Sequence, residues 1–374
     1  MARVKLGDIA REYKATCGDQ KEGLRVVGLE HLIPQQIILT LWDEGKENTF
    51  TKMFKKGQVL FGRRRAYLKK AAVAPFDGIC SGDITVIEAI PGKIIPELLP
   101  FIFQNDTLFD FAVERSAGSL SPRVKWEHLK NFEFELPELD KQKELADILW
   151  ASERAKTAYR ELISSTDELV KSQFIEMFGA YPKTRLGDYI EQVRGVSYKP
   201  NDLLLSLEDT HITLLRANNI SNNEINFDEV QYVSRAKVSP QQIIREDDIL
   251  MCASSGSLEH VGKAAICSPT SIDYTFGAFC KVIRTKKDLL PKFLATYFVT
   301  DEYRDKIMSL ACGTNINNLK NEYIDNLLIP IPEMSIQENF VRMIEQFDKS
   351  KFAAKQALEN LERTQKSLMN RYLG

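Results

Sequence analysis

The chain has 374 residues, of which 44% are hydrophobic and 27% are charged, the balance of a soluble globular protein with room for two domains. Its formal net charge of −2 excludes a uniformly basic surface, so any contact with DNA must come from local basic clusters or from partner proteins. Every window of eighteen residues contains a charge, and the first residues lack the apolar core of a signal peptide, so we expect no membrane segment and a cytoplasmic location.

The cysteine and histidine positions argue against a metal site. The six cysteines and four histidines are dispersed, with no C-x-x-C pair and no spacing typical of zinc ligands. We therefore expect reduced, buried thiols and no bound metal.

Residues 1–138 have the pattern of a compact α+β domain. Short β-rich runs such as Ala71–Pro75 and Ile84–Ile87 lie between glycines and prolines, and a helical run follows from Leu98 to Ser116.

A cluster of basic residues in this domain is the first candidate for binding. Eight lysines and arginines, and no acidic residue, fall between Asn48 and Phe76. These side chains neutralise phosphates, and arginine can also bind guanine through two hydrogen bonds. We predict DNA contacts from this cluster and from the polar loop at 119–125, namely Arg63, Arg64, Arg65, Tyr67, Lys69, Lys70, Ser119, Ser121, Arg123 and Lys125. A solvated basic loop is the alternative interpretation.

Residues 139–179 are predicted to form one long helix. No glycine or proline occurs between Asp140 and Met177, and a helix of that length extends about 55–60 Å. Asp140 is the candidate N-cap. The apolar seam of this helix is predicted at Leu145, Tyr159, Leu162, Leu169 and Val170.

Residues 180–333 are predicted to form a second mixed domain, followed by a second long helix at 334–374. Ser335 with Glu338 matches a capping box at the start of that helix. Its apolar seam recurs every seven residues, at Phe340, Phe347, Ala354, Leu361 and Leu368. Two long helices with one seam each are predicted to pack antiparallel as a coiled coil.

An internal repeat relates the two halves. Residues 126–179 align with 321–374 at a constant shift of 195 positions, and Arg3–Ile9 resembles Lys183–Tyr189. Between these anchors the halves differ. We therefore predict an α+β protein in which two pseudo-repeated domains are joined by two long antiparallel coiled-coil helices.

The second domain has polar rather than basic side chains at the matching places. Asparagine can bind adenine through two hydrogen bonds, and serine or threonine can reach bases and phosphates. Ordinary turn chemistry is the alternative for such loops. We predict DNA contacts from Ser254, Ser255, Ser257, Thr314, Asn315, Asn317, Asn318 and Lys320.

The sequence lacks the motifs of common DNA-acting enzymes. It has no G-x-G-x-x-G segment and no N-P-P-Y-type methyltransferase motif. The segment Gly256–Ala264 resembles a P-loop, but five residues separate its glycines instead of four, and Ala264 replaces the magnesium-binding serine or threonine. We expect no catalytic residue and no cofactor on this chain.

In the same order and twice over, several segments resemble the specificity subunits of type I restriction-modification systems. The matching segments are Leu6–Asp8, Leu186–Asp188, Gly57–Arg65, Asp248–Met251, Gly262–Ile266, Ala117–Ser121, Gly313–Ile316, Leu136–Pro137 with Gln142, and Ile331–Pro332 with Gln337. The chain departs from the pattern at Gln58, where an acid is usual, and at Lys69-Lys70, where the second half has Gly-Lys.

The resemblance implies a non-catalytic DNA-recognition subunit of a bacterial defence system. Residues 1–138 and 180–333 would be target-recognition domains, each recognising one half of a bipartite site in double-stranded DNA, and 139–179 and 334–374 would be spacer helices that set the spacing of the half-sites. Two modification subunits would hold S-adenosylmethionine and methylate adenine. Restriction subunits, where a system has them, would use ATP and Mg²⁺.

Two other function classes stay open at this stage. A non-catalytic coiled-coil adaptor would share the long helices but select no DNA sequence. A stand-alone nuclease or methyltransferase with divergent motifs would act on DNA by itself. Binding to random DNA pools tests the first class, and a methylation assay on the isolated chain tests the second.

Overall fold

The computed structural model describes residues 1–374 except 19–22, 46–47, 119, 205, 207–209, 269–271 and 312–316, and it does not describe the side chain of Asn317. The chain forms two compact units. Unit 1 comprises Met1–Glu161 with Ala354–Gly374, and unit 2 comprises Leu162–Ala353. Each long helix contributes one part to each unit. Both units mix helices and strands, so the α+β class is confirmed.

Unit 1 is built on two four-stranded sheets. Its strands are β1 (Ala2–Lys5), β2 (Ala10–Glu12), β3 (Arg25–Val27), β4 (Asp43–Glu44), β5 (Lys52–Phe54), β6 (Val59–Gly62), β7 (Ala71–Val73), β8 (Gly78–Cys80), β9 (Ile84–Ala89) and β10 (Glu133–Leu136). One sheet has the order β2-β9-β6-β7, the other has the order β4-β3-β8-β5, and β1 pairs with β10. Strand β6 is buried along its whole length, as expected for a short apolar run inside a sheet.

The helices of unit 1 follow the sheets and pack on their core. They are α1 (Leu6–Ile9), α2 (Leu99–Ile102), α3 (Asp106–Glu114), α4 (Trp126–Leu129) and the start of α5 (Leu139–Phe178). Asn105 caps α3, because its side-chain oxygen accepts a hydrogen bond from the Thr107 N–H.

Unit 2 repeats the strand order of one sheet of unit 1. Its strands are β11 (Lys183–Arg185), β12 (Ile190–Arg194), β13 (Leu203–Leu204), β14 (His211–Leu215), β15 (Ile220–Ser221), β16 (Glu224–Ile225), β17 (Gln231–Ser234), β18 (Ile249–Cys252), β19 (Ser254–Ser255), β20 (Ala264–Ile266), β21 (Tyr274–Phe276), β22 (Cys280–Thr285), β23 (Asn317–Asn318) and β24 (Leu328–Pro330). The order β12-β22-β18-β20 corresponds to β2-β9-β6-β7 of unit 1, and the parallel pair β14-β21 corresponds to β3-β8. The helices are α6 (Pro291–Tyr297), α7 (Asp301–Ala311), α8 (Asn321–Asp325) and α9 (Met334–Leu373).

The junction between each set of strands and its long helix is fixed by a buried glutamine. The side-chain oxygen of Gln142 accepts the Ile95 N–H at 2.9 Å, and its amide donates to the Pro137 carbonyl at 2.8 Å. Gln337 makes the same two kinds of bond, with the Leu290 N–H at 2.9 Å and the Pro332 carbonyl at 2.8 Å. A buried amide needs such partners, so the glutamine is required at both junctions.

Each long helix begins at the first residue of its predicted range. Helix α5 begins at Leu139 and α9 begins at Met334. The N-caps predicted at Asp140 and Ser335 are therefore wrong, because both residues lie inside the first turn.

Within each unit, the segments of the two long helices run antiparallel. In unit 1, Arg160 donates to Glu362 at 2.8 Å, and Lys156 donates to Gln365 at 2.6 Å. In unit 2, Lys351 donates to Asp167 at 2.6 Å, and the rings of Phe174 and Phe340 lie 5.7 Å apart. Residue numbers rise along one helix as they fall along the other.

The predicted seam is correct for α9 and partly wrong for α5. Phe340 is buried, and Phe347, Leu361 and Leu368 are half-buried. In α5, Leu145 is buried and Tyr159 half-buried, but Leu162 and Leu169 are 49% and 44% exposed. Val170 is half-buried as predicted, and the same face of α5 also carries Leu149, Glu153, Lys156, Ile163 and Phe174.

The physical reason is that polar side chains occupy part of the seam. Glu153, Lys156 and Gln365 are all buried in unit 1 and bond to one another, with Lys156 Nζ at 2.7 Å from the Glu153 carboxylate. A buried polar group is tolerated when it is hydrogen-bonded in this way. A search for apolar residues therefore assigns the seam to neighbouring leucines.

Two further observations concern the cysteines and the helices of the described residues. Five cysteines are buried free thiols, and Cys312 lies outside the described residues. No helix among the described residues has the length and apolarity needed to cross a bilayer.

Candidate nucleic-acid interface

In unit 1, strand β6 ends at the predicted arginine cluster, and a second loop is tied to it. Arg64 and Arg123 form a β-bridge, the Arg65 N–H donates to the Pro122 carbonyl at 2.8 Å, and the Val124 N–H donates to the Arg63 carbonyl at 2.9 Å. Arg65 has a φ of 54°, a left-handed conformation that turns the chain directly after the strand. The two basic segments that the sequence separates by some sixty residues therefore form one surface.

An acidic residue lies at the centre of this surface. Arg123 binds the Asp83 carboxylate through two hydrogen bonds of 2.7 and 3.1 Å, and Arg64 and Arg63 approach the same carboxylate at 3.7 and 3.9 Å. These guanidinium groups lower the pKa of Asp83, and the hydrogen bond from Arg123 has the largest effect. Arg64 also donates to the Ser121 hydroxyl. We call Arg63, Arg64, Asp83, Ser121 and Arg123 the arginine cluster.

The other predicted residues of unit 1 fall into two groups. Arg65, Tyr67 and Lys125 are exposed near the cluster. Lys69 pairs with Asp106, which also binds Lys366 at 2.7 Å, and these two lysines lower the pKa of Asp106.

Lys70 is engaged as well, because its ammonium group donates to the Leu29 carbonyl at 2.7 Å. Lys69 and Lys70 thus have partners inside the unit, and the Lys70 carbonyl accepts the N–H of Gly62, the residue before Arg63, at 2.8 Å. Their role as DNA contacts stays a prediction.

Unit 2 presents a different set of side chains at the corresponding place. Ser254 pairs with Asn318 and Ser255 with Asn317 in the short antiparallel ladder β19–β23. Ser257 and Asn318 are exposed, and Lys320 is exposed beside Glu322 and the Tyr323 ring. Hydroxyl and amide groups at such a rim can donate to or accept from base edges.

The correspondence between the two places follows from strand register. In unit 1, Val59 pairs with Ile87, and in unit 2, Ile249 pairs with Ile283. Counting forward from Val59 and from Ile249 by the same number of residues gives Arg64 and Ser254 as corresponding positions. Counting back from Ile87 and from Ile283 in the same way gives Asp83 and Phe279. The bridges agree independently, because Arg64 faces Arg123 as Ser254 faces Asn318.

The polar pairs at the other end of the same strands also correspond. In unit 2, Arg284 binds Asp248 through two hydrogen bonds of 2.8 and 2.9 Å, and both side chains are buried. In unit 1, the same places hold Glu88 and Gln58, joined by one hydrogen bond of 2.8 Å. Gln58, which departs from the family pattern, is therefore accommodated because its partner is an acid instead of an arginine.

Sequence reasoning missed an aromatic pocket in unit 2. Phe279 is 61% exposed and borders a cavity of about 350 Å³ that is also lined by Tyr198, Arg216, Asn218 and Ser254. The Nε of Arg216 is buried without a hydrogen-bond partner among the described residues. A phenylalanine in a glycine-containing turn, Gly277–Phe279, was the only available signal, and it does not distinguish an exposed ring from a buried one.

One cluster of two acidic residues and a histidine in unit 1 has the composition of a metal site. Glu30, His31 and Asp43 place one ligand atom each within 4.8 Å of one another. The Nδ1 atom of His31 accepts a hydrogen bond from the Gly28 N–H at 2.9 Å, so the neutral ring carries its proton on Nε2, the atom that faces Asp43 at 3.7 Å. In unit 2, Asn219 accepts the Arg216 N–H in the same way. This geometry favours a structural role for His31 in closing the turn.

The family "Type I restriction modification DNA specificity domain" matches the chain twice, over residues 4–163 and 184–363. The chain belongs to this family. Each match covers the strands of one unit and most of the long helix that follows them. The double match agrees with the internal repeat seen in the sequence.

Individual members of the family resemble parts of the chain more closely than the whole. A segment of 181 residues is 34% identical to the type I restriction enzyme StySPI specificity subunit of Salmonella potsdam and 35% identical to the EcoKI specificity subunit of Escherichia coli strain K12. Each match covers 47% of this chain and 39% of the relative. The chain thus matches well under half the length of these two curated relatives. The MjaVIII specificity subunit of Methanocaldococcus jannaschii is 20% identical over 93% of this chain and 80% of its own length.

Solved structures of the type I restriction-modification family have the same fold. The type I S subunit of M. genitalium superposes with a TM-score of 0.58 at 11% identity, covering 98% of this chain and 94% of that chain. A chain from a study of complex assembly and conformational transition of the type I R-M system gives 0.57 at 19% identity, covering 100% and 97%. At these identities the likeness concerns the fold alone.

Some of the predicted contact residues of this family member lie outside the described residues. These are Ser119, Thr314, Asn315 and, for its side chain, Asn317. The described neighbours Leu120, Ser121 and Asn318 show that both loops reach the surfaces described above, and Leu120 is exposed.

Proposed function

We propose that the chain is the DNA sequence-specificity subunit of a type I restriction-modification complex. Residues 1–138 and 180–333 act as target-recognition domains, each recognising one half of a bipartite site in double-stranded DNA. The observation that carries this proposal is that one backbone framework presents two different polar surfaces at corresponding places. Arg64 and Arg123 occupy the positions that Ser254 and Asn318 occupy in the other unit.

The chemistry of the two surfaces fits DNA in different ways. The arginine cluster has three positive charges and one negative charge, which suits phosphates and guanine. The serine and asparagine ladder of unit 2 has little charge and suits adenine or mixed base edges. Different half-sites are the expected result of such a pair.

The chain supplies recognition and no catalysis. S-adenosylmethionine, ATP and Mg²⁺ are bound by partner subunits, of which two are modification subunits, and restriction subunits join where the system has them. The absence of nucleotide-binding and methyltransferase motifs from the sequence supports this division.

The long helices act as spacer and as a surface for partners. Leu162 and Leu169 lie seven residues apart, so they share one face of α5, and both are exposed. Two exposed leucines on one helix face suit an apolar contact with another protein. We assign this face to a modification subunit.

A domain exchange tests the proposal. Residues 180–333 are replaced by the matching domain of a relative with a known site, and the methylated sequence is mapped in cells that carry the modification subunits. We expect one half of the recognised sequence to change and the other half to persist. A coiled-coil adaptor would show no sequence preference in either form, and a single fused recognition surface would change both halves.

A second experiment tests the arginine cluster itself. Replacing Arg63, Arg64 and Arg65 together by glutamine removes three charges and should lower the slope of log K against log salt by about one for each phosphate that is no longer neutralised. An unchanged affinity and slope would mean that the cluster is a solvated loop. Replacing Arg3 and Lys5, which pair with Glu133 on the β1–β10 sheet, is the matched control.

A further inference from the structure

The carboxylate of Asp83 is placed where a DNA-binding surface would be expected to avoid acids. Its side chain is 19% exposed and contacts three arginines, whose own side chains are 33–42% exposed. The acid cancels one of the three positive charges that the surface offers to phosphates. A surface built for DNA affinity alone would omit it.

The contacts of Asp83 decide which edges of the arginines are available. The Nε and Nη2 atoms of Arg123 both bind Asp83, so its two-donor edge is occupied. Arg64 is held at Nη1 by the carboxylate and at Nε by Ser121. The Nε atom of Arg63 is buried and has no hydrogen-bond partner among the described residues, although it lies 3.9 Å from the carboxylate.

Unit 2 shows that the carboxylate is not needed to build this part of the fold. In unit 1 the Arg63 N–H donates to the Asp83 carbonyl at 3.0 Å. In unit 2 the corresponding Ala253 N–H donates to the carbonyl of Phe279 at 2.9 Å. The same backbone connection therefore forms with an acid or with an uncharged ring at this position. A side chain that the backbone does not require is available for another role.

We propose that Asp83 is a specificity-determining residue, which positions the three arginines for base recognition and limits their binding to phosphates on any DNA. This inference rests on the proposed function and deepens it. Arginines fixed by a shared acid lose less side-chain entropy on binding DNA, and their guanidinium groups keep one orientation. Unrestrained arginines can each reorient to bind the nearest phosphate. Asp83 acts through the arginines, so it is a positioning residue.

The test compares the full-length protein, in complex with its modification subunits, with the variant Asp83→Asn. The asparagine keeps the shape of the side chain and removes its charge. Equilibrium binding is measured on DNA that contains the mapped site and on DNA of scrambled sequence, at several salt concentrations. We expect binding to scrambled DNA to tighten about tenfold with a salt slope steeper by about one, and the ratio of specific to non-specific affinity to fall about tenfold or more.

Two further variants keep the test decisive. Arg123→Lys retains the charge but loses the two-donor fork, so the specificity ratio should fall while the salt slope stays unchanged. Glu133→Gln removes a carboxylate that also pairs with two basic residues, Arg3 and Lys5, and should alter neither quantity.

The outcomes separate this inference from the proposed function. If the unaltered complex selects a sequence but Asp83→Asn keeps its specificity ratio and slope, the positioning role is refuted and the function stands. If the unaltered complex shows no sequence preference, the proposed function fails. If Asp83→Asn merely loses binding to both DNAs in proportion, Asp83 is structural, and the inference is again refuted.

Discussion

Lys281 gives a direct test of how unit 2 holds its candidate recognition loop. Its ammonium group is buried and donates to Gln192, Asn321 and the carbonyl of Leu319 at 2.7 to 3.0 Å. The Leu319 and Asn321 partners flank Lys320 and follow Asn318. Burial lowers the pKa of Lys281 from 10.5 to about 8, and Asp325 opposes that change.

The sign of the resulting pH dependence follows from the direction of the shift. The folded state binds the proton less tightly than the unfolded chain, so protonation of Lys281 costs stability. The cost is absent above pH 10.5, grows as the pH falls from 10.5 to 8, and is complete below pH 8. The shift corresponds to about 3 kcal/mol, with a slope of at most about 1.4 kcal/mol per pH unit.

The perturbation is Lys281→Met, which keeps the length of the side chain and removes the titrating group. Urea unfolding followed by circular dichroism gives the free energy of unfolding of both proteins between pH 7 and 10.5. Other groups titrate in both proteins, so the difference between the two curves isolates Lys281. We expect the disadvantage of the variant to grow by about 3 kcal/mol as the pH rises from 8 to 10.5.

The control is Lys237→Met, which removes an exposed lysine of the same unit that pairs with Asp202. A difference between wild type and Lys281→Met that stays flat across this range would refute the reasoning. It would mean that Asp325 and the three hydrogen bonds offset the burial of the ammonium group completely.

Three further predictions concern other parts of the chain. Arg284→Met leaves the Asp248 carboxylate buried and without its ion-pair partner, so the free energy of unfolding, measured by urea unfolding, should fall by about 3–5 kcal/mol. Loss of the exposed Arg235–Asp273 pair should lower the same quantity by less than about 1 kcal/mol. Phe279→Ala should weaken binding to the half-site of unit 2 about tenfold and leave binding to the other half-site unaffected. The control is Phe227→Ala, which removes a 41% exposed ring that packs on Tyr274 and should change binding to neither half-site. Equal effects of the two substitutions on binding would exclude a DNA contact by Phe279. Inserting one heptad after Ser164 and another after Lys355 adds about 10 Å to each helix and should lengthen the gap between the methylated half-sites by about three base pairs. An unchanged gap in an active complex would mean that the helices do not set the spacing.

The elements that the sequence predicts well are those with a long, regular pattern. Helices α5 and α9 contain no glycine or proline, and strand β9 covers the predicted run Ile84–Ile87, so each is visible in a local sequence pattern. The sequence indicates Arg63 and Arg64 of the arginine cluster for the same reason, because eight basic residues fall in one window.

The residues that the sequence does not predict depend on contacts between distant segments. Asp83 is one acid among many in the sequence, and its importance comes from strand pairing that brings Arg63, Arg64 and Arg123 around it. The seam of α5 was misplaced onto Leu162 and Leu169 because Lys156, a charged residue, occupies the seam with partners on α9. Residue type predicts burial only where no buried partner compensates the charge.

The two units show how one framework can carry different recognition surfaces. Arg284 with Asp248 and Glu88 with Gln58 differ in charge, yet each pair joins the same two strands and accepts the same preceding backbone N–H, from Arg245 and Lys55 respectively. The framework therefore tolerates a change when both partners of a pair change together. At the other end of these strands, Arg64 and Ser254 bond across the same bridge through backbone atoms, which residues of either type provide. Side chains on the candidate DNA surface can consequently vary without disturbing the strands that carry them.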